Sequence, residues 1–341
     1  MPIRVQRWRQ FCHADADGTG PPQDTGLKSM PKHYLVTGGA GFIGSHLVRR
    51  LIKEGGRVRV VDNLSTGMLD RLQEIRPMIE FEQADLADPA VCDRVVEEVD
   101  YVLHQAAVPS VQRSIQDPVG TNRANVTATL NLLESSRKKG IRRFIYAASS
   151  SAYGNTEVLP KTEEMTPHPL SPYALQKLVG EHYCQLYYEL FGLEAVCLRY
   201  FNVFGPGQDP HSEYSAVIPK FIHRLRAGRP VVVYGDGEQS RDFTYVDSVV
   251  EANLLAVSAE NAAGKVFNIG CGKRITLNEV IQTLERVMKV KAEIIYDSPR
   301  PGDVRHSLAD IGRAAQSLGY KPLITVEEGL ERTIRAMRKE N

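Results

Sequence analysis

The chain has 341 residues, 42% of them apolar and 24% charged, close to globular averages and long enough for about two domains and a large core. Its 42 basic and 41 acidic side chains nearly cancel, so the electrostatic footprint of a nucleic-acid or membrane-surface binder is missing and a small-molecule partner is favoured. Five scattered cysteines (Cys12, Cys92, Cys184, Cys197 and Cys271) form no CxxC pair, which indicates neither a disulfide framework nor a metal site and fits a reducing cytoplasm; no apolar run approaches the roughly 18 residues of a membrane span.

Residues 1–30 show no hydrophobic period and several turn formers, after which PKHYLVTG starts as a strand does. They read as an N-terminal extension translated from upstream of the true start; Arg4, Arg7 and Arg9 would suit a transit peptide, but Asp15, Asp17 and Asp24 count against one. From there the runs HYLVTG, VRVVDN, FEQADL, YVLHQAA, RFIYAASS and AVCLRYFNVFG alternate with helical patterns, notably at Phe42–Lys53, 124–138 and 173–190. Continuous apolar strands separated by helices predict a doubly wound α/β fold, a parallel Rossmann sheet covered on both faces. After Gly205 the pattern gives way to loops rich in Gly, Pro and Asp, GPGQDPHSE and YGDGEQSRD, among short elements. The expected organisation is a nucleotide-binding domain over residues 31–203, a return segment at about 240–270 through KVFNIG, and a smaller C-terminal substrate domain made of 204–239 and 271–341.

TGGAGFIGSH, with Gly38, Gly41 and Gly44, follows the first strand and opens a helix, and Asp62 ends the second strand 24 residues after Gly38. Gly38 permits the tight turn, Gly41 lets backbone amides approach a pyrophosphate, and Gly44 lets helix and strand pack closely. Asp62 would accept hydrogen bonds from a ribose diol and repel a 2′-phosphate, so the expected cofactor is NAD rather than NADP.

SPYALQK places Tyr173 and Lys177 one helical turn apart on one face. A phenol titrates near 10, and acting as a base near neutrality requires a fall of about three pH units, about 4 kcal/mol. Two cations can supply it, the Lys177 ammonium and the oxidised nicotinamide ring. His104, mid-strand in LHQAA, reads as a buried, hydrogen-bonded histidine rather than a catalytic one. AASSSAYGN ends another strand on three hydroxyls, Ser149, Ser150 and Ser151, with no acid before Tyr153 and Gly154.

Together TGGAGFIG, Ser149, YALQK, LRYFNVFGP and GDGEQSRDFTYVDS resemble the extended branch of the short-chain dehydrogenase/reductase superfamily over residues 31–341. The resemblance implies cofactor contacts from Phe42, Ile43, Asn63, Ser65, Thr66, Gly67, Asp85, Leu86, Gln105, Ala106, Ala107, Asn125 and Tyr200, besides Tyr173 and Lys177. In that family the sugar-nucleotide dehydratases carry an acid pair at the serine strand end, and the UDP-glucuronate decarboxylases carry a glutamate just after it. SSSAYG has neither, and so resembles the UDP-hexose 4-epimerases, specifically the UDP-N-acetylglucosamine type. The implied reaction starts with Tyr173, as phenolate, removing the 4-OH proton while the C4 hydride passes to NAD. The keto sugar then swings to present its other face, and both return. Ser149 aligns with the catalytic serine bridging O4 and Tyr173; Ser150 and Ser151 either touch the sugar or cap the strand end.

For the UDP-sugar, the resemblance assigns Asn202, Arg241, Arg300 and Asp303 to the nucleotide and diphosphate, and Pro109, Ser110, Ala216, Val217, Val232, Tyr234 and Ser307 to the surrounding walls. Arginine's planar fork suits phosphate oxygens. Ser307 stands where hexose-restricted epimerases tend to carry a bulky tyrosine, leaving room for an acetamido group. Pro109 departs from the small or basic residue expected there. Asn202 argues against the UDP-glucuronate 4-epimerases, which remain the alternative. A dehydratase, a decarboxylase and a non-catalytic NAD-sensing module are the other readings; the last would be expected to lose Tyr173 or Lys177. Helices 124–138 and 173–190 resemble the pair through which this family dimerises, with Leu130, Leu133, Leu186 and Leu190 as apolar surface or core, so a homodimer is expected.

Overall fold

Of the early strands, HYLVT is buried at every position and RVRVVD along its second half, and the chain folds around them. The computed structural model describes residues 31–209, 217–299 and 304–337. The extension expected at residues 1–30 and the candidate residues Ala216, Arg300 and Asp303 lie outside them. The strands are β1 His33–Thr37, β2 Arg57–Asp62, β3 Glu80–Gln83, β4 Tyr101–His104, β5 Arg143–Ser149, β6 Ala195–Tyr200, β7 Val203–Phe204, β8 Val231–Tyr234, β9 Ser240–Arg241, β10 Thr244–Tyr245, β11 Val266–Ile269, β12 Ile275–Thr276 and β13 Ile294–Asp297.

Seven of these form one parallel sheet in the order β11-β6-β5-β4-β1-β2-β3. Alternate residues feed two cores: Tyr34 and Val36 pack into one, Leu35 into the other, and along β5 Ile145 and Ala147 oppose Phe144, Tyr146 and Ala148. The strand order reverses at β1, which opens a crevice at the carboxyl ends of β1 and β4, where ligands of doubly wound folds bind. KVFNIG does rejoin the sheet, as β11 beside β6.

The helix Pro172–Phe191 starts where Ser171 Oγ accepts the Ala174 N–H at 3.2 Å and Pro172 fills the first turn, and it stops at Gly192, φ +72°. The expected helix at 124–138 is instead an α-helix over Ala128–Lys139 preceded by a π turn, Arg123–Thr127. Buried Asn125 occupies that turn and binds the loop after β4 from it.

The six strands outside the main sheet form three small pairs among the described residues, β7 with β10, β8 with β13 and β9 with β12. What knits these segments is a buried carboxylate. Asp242 accepts backbone N–H groups from Cys271 at 2.7 Å, Gly272 at 3.0 Å and Ala309 at 3.1 Å.

Candidate active site

Glycines make the first wall of the crevice. Gly38 has φ +64°, and a Cβ there would lie 2.7 Å from Ala106 Cα; a Cβ on Gly44 would lie 2.1 Å from the Gly38 carbonyl oxygen. Helix Phe42–Lys53 begins at Gly41 with no side-chain cap, so its first-turn N–H groups point at the crevice as an anion cradle. Asp62, buried, accepts the Ala40 N–H at 2.9 Å on one oxygen and the Leu64 N–H at 2.8 Å on the other. Each oxygen keeps a second lone pair for a ribose diol. Desolvation raises its pKa, while the two amides and Arg71 lower it. Cradle and carboxylate therefore fit the diphosphate and ribose of a dinucleotide.

One cavity of about 1160 Å³ runs from this cradle to the serine strand end. Its lining includes Phe42, Ile43, Asn63, Ser65, Thr66, Gly67, Asp85, Leu86, Gln105, Ala106, Ala107 and Tyr200, then Pro109, Ser110, Ser149, Ser150, Ser151, Tyr173, Lys177, Asn202, Arg241 and Ser307. Asn125 is the exception among the described cofactor candidates. It sits behind the wall, its side chain accepting from Val108 N at 2.7 Å and donating to Gln176 Oε1 at 2.8 Å, so it shapes the loop without facing the cavity. Val217, Val232 and Tyr234 line a neighbouring cavity of about 240 Å³, whose lining shares Asn202 and Arg241 with the first.

Ser149 Oγ caps the 3-10 turn Ser150–Tyr153, accepting from Ser151 N at 3.2 Å and Ser151 Oγ at 2.8 Å. Of the open pair, Ser151 holds Ser149, and both Ser150 and Ser151 line the cavity. The hydrogen bond between Tyr173 and Ser149 lowers the phenol's pKa, but burial raises it more, so in the chain by itself Tyr173 is held above its usual value. Lys177 Nζ donates to Ala147 O at 2.8 Å and lies 5.1 Å from the Tyr146 ring centroid. Desolvation brings it down to about 8, against the pull of Glu181. In the chain by itself the causes that set Tyr173 are burial and the Ser149 hydrogen bond, while one of the three Lys177 ammonium donors is used on the Ala147 carbonyl.

His104 is buried with Nδ1 on Thr37 Oγ1 at 2.7 Å and Nε2 on Thr129 Oγ1 at 2.9 Å, and burial drops its pKa to about 3. Both ring nitrogens being engaged, it is the structural histidine expected.

Sequence reasoning missed several residues. Ser114 Oγ accepts the Tyr173 N–H at 3.0 Å, tying the helix Val111–Gln116 to the start of the catalytic helix. Arg71 donates to Ala40 O at 3.2 Å and Gly207 O at 3.0 Å, closing the cradle from the far side. Gln112, Arg113, Lys161 and Leu170 also line the cavity. Gln112 and Arg113 follow AAVPS and could have been included with it; Lys161 and Leu170 lie in a loop that carries no periodic signal.

The acids lining the cavity are Asp62, Asp85 and Asp209. Asp62 ends β2 and Asp85 follows β3. Asp209 ends a turn whose Pro206 and Gly207 carbonyls bind His46 and Arg71, on the cradle side. Among the described residues, no carboxylate lines the cavity beside the three serines.

A family model described as the NAD dependent epimerase/dehydratase family matches residues 34–270. The crystal structure of the UDP-glucose 4-epimerase of Thermotoga maritima, with UDP-glucose, is 40% identical with a TM-score of 0.87, over 90% of this chain and 99% of that one. The UDP-N-acetylglucosamine 4-epimerase of Methanobrevibacter ruminantium, in complex with UDP-N-acetylmuramic acid, is 39% identical with a TM-score of 0.87, over 91% and 99%. The UDP-glucuronic acid 4-epimerase of Bacillus cereus, with UDP-glucuronic acid and NAD, is 31% identical with a TM-score of 0.84, over 91% and 100%.

Proposed function

The chain belongs to the NAD dependent epimerase/dehydratase family, and we propose that it inverts C4 of a UDP-sugar through a 4-keto intermediate. NAD is its cofactor, and bound NAD supplies the acceptor and donor of the C4 hydride. The observation that carries the reading is the union, in one cavity, of a dinucleotide cradle, the Ser149–Tyr173–Lys177 group and a serine end beside which no carboxylate among the described residues lines the cavity.

In this account Tyr173 takes the 4-OH proton and later returns it, and Ser149 orients O4 against the phenol. Tyr173 stands high in the chain alone, and the positive charge of an oxidised nicotinamide bound in the same cavity would favour its ionisation. A ketone with no neighbouring acid or base to break a second bond can only be reduced again, and the net result is epimerisation. Segments 204–239 and 271–341 form the substrate domain. Asn202 and Arg241, which line both cavities, hold the nucleotide and diphosphate, and Val217, Val232 and Tyr234 its far end.

The substrate we assign is UDP-GlcNAc/UDP-GalNAc, with activity on UDP-Glc/UDP-Gal, because small Ser307 lines the cavity. A second reading, UDP-glucuronate, is favoured by Arg113: it lines the same cavity and no carboxylate pairs with it among the described residues, so it would suit a C6 acid. The test is to incubate the protein separately with UDP-GlcNAc, UDP-Glc and UDP-glucuronate, without added NAD, and identify products by NMR. The 4-epimers of the first two are expected; conversion of the acid alone overturns the assignment.

The enzyme is proposed to act in a reducing cytoplasm, in keeping with free Cys92, Cys184, Cys197 and Cys271, and as a homodimer. Leu186 and Leu190 are 45% and 68% exposed on the helix Pro172–Phe191 and Leu130 is half-buried, an apolar face that a second copy would cover, whereas Leu133 is core. Light scattering at micromolar concentration should give a dimer.

A further inference from the structure

After Tyr173, the buried residues Lys177, Glu181 and Cys184 follow at successive turns of the helix Pro172–Phe191. Glu181 does not line the cavity. Its carboxylate is nonetheless gripped by Arg199 of β6, whose Nε donates to Oε1 at 2.9 Å and Oε2 at 3.1 Å and whose Nη2 donates to Oε2 at 2.7 Å. The two side chains are 4% and 2% exposed. The same guanidinium lies over the Tyr153 ring, Cζ to centroid 4.7 Å, and Tyr153 lines the cavity beside the serines. One buried cation thus touches both the sugar wall and the catalytic helix. A buried ion pair is weak evidence for stability, since a packed apolar pair often serves as well. Another role is called for.

The titratable and charged groups around Lys177 come from every neighbouring element. They are His104 of β4, Tyr146 of β5, Cys197 and Arg199 of β6, and Tyr173, Glu181 and Cys184 of its own helix. His104 stays neutral, and burial pushes Tyr146 and Cys197 up, so they stay protonated. Glu181 is the carboxylate of the set, paired with the Arg199 guanidinium, and it opposes the desolvation that draws Lys177 down to about 8.

We propose that Glu181, held in place by Arg199, is a positioning residue for the reaction: its carboxylate keeps Lys177 an ammonium beside Tyr173, and the fork to β6 fixes the helix that carries both. The proposal rests on the epimerase reading above. Its test follows two quantities: the alkaline limb of the kcat-pH profile, and the titration of the Lys177 ammonium by NMR in the cofactor-free protein, assigned by its loss in Lys177→Met.

Glu181→Gln leaves Arg199 uncompensated, so both midpoints should fall by about one pH unit or more. Glu181→Asp should restore them. The double variant Glu181→Gln, Arg199→Met removes the pair without stranding a charge, so it should fold, and its midpoints should fall by a smaller amount. A kcat reduced equally at every pH, with the Lys177 titration unmoved in Glu181→Gln and in the double variant, would make the pair merely structural and overturn the proposal. Failure of the wild-type protein to epimerise any UDP-sugar would instead strike the functional reading, while the NMR titration would still decide the role of Glu181.

Discussion

The ends of β1 and β2 and the segments after Phe204 contribute to the same cavity by opposite means. The first region is built from backbone: a turn at Gly38, an uncapped helix start, and strands whose alternate residues fill two cores. The second is built from side chains reaching across the sequence. Asp242 joins residues 271, 272 and 309, and Arg241 donates to the carbonyl of Arg305 at 3.1 Å. A dinucleotide site common to many chemistries can sit on a rigid, locally encoded frame, whereas the sugar end depends on distant pairs that small substitutions can re-aim.

On the proposed mechanism Tyr173, the proton carrier on the helix Pro172–Phe191, should show the largest effect. Tyr173→Phe is expected to lower kcat about a thousandfold, about 4 kcal/mol of barrier, with NAD still bound, measured by product NMR and cofactor content. Retained rate would break the comparison at once. In the other region, Asp242→Ala strands one buried and two part-buried N–H groups and should lower the unfolding free energy by about 3 kcal/mol in urea. Asp242→Asn sharpens the same point through pH. Burial holds the Asp242 pKa at about 6, above its unfolded value near 3.9, so this group's contribution is fully present below the unfolded value and lost as pH rises through about 6. The stability advantage of the wild type over Asp242→Asn should therefore shrink by about 2 kcal/mol between about pH 4 and about pH 7. Smallest is Asp62→Asn, which keeps an acceptor in the cradle but removes its charge. It should shift preference toward NADP by about tenfold, read from the affinities of the stripped protein for the two dinucleotides.

The same contrast explains what could be read in advance. The strand runs, the glycine turn, Asp62, and the Tyr173 and Lys177 pair each rest on neighbours in sequence, and the sheet and cavity contain them as expected. Asn125, a cofactor candidate by resemblance alone, sits in a π turn that the local sequence pattern does not mark and binds the loop after β4 from there. Ser114, Arg71 and Glu181 act through partners 59, 31 and 18 residues away, and nothing in the local pattern marks them. Leu133, which the sequence leaves open between partner surface and core, fills a core, a distinction only three-dimensional packing makes.

The central claim is that the cavity makes a ketone at C4 and can only reduce it again. UDP-GlcNAc deuterated at C4, incubated in ordinary water with the protein as purified and followed by NMR, tests it most directly. The account predicts the 4-epimer with its deuterium retained at C4 and the rest of the sugar intact. Loss of the deuterium to solvent, or a product lacking the elements of water, would contradict it.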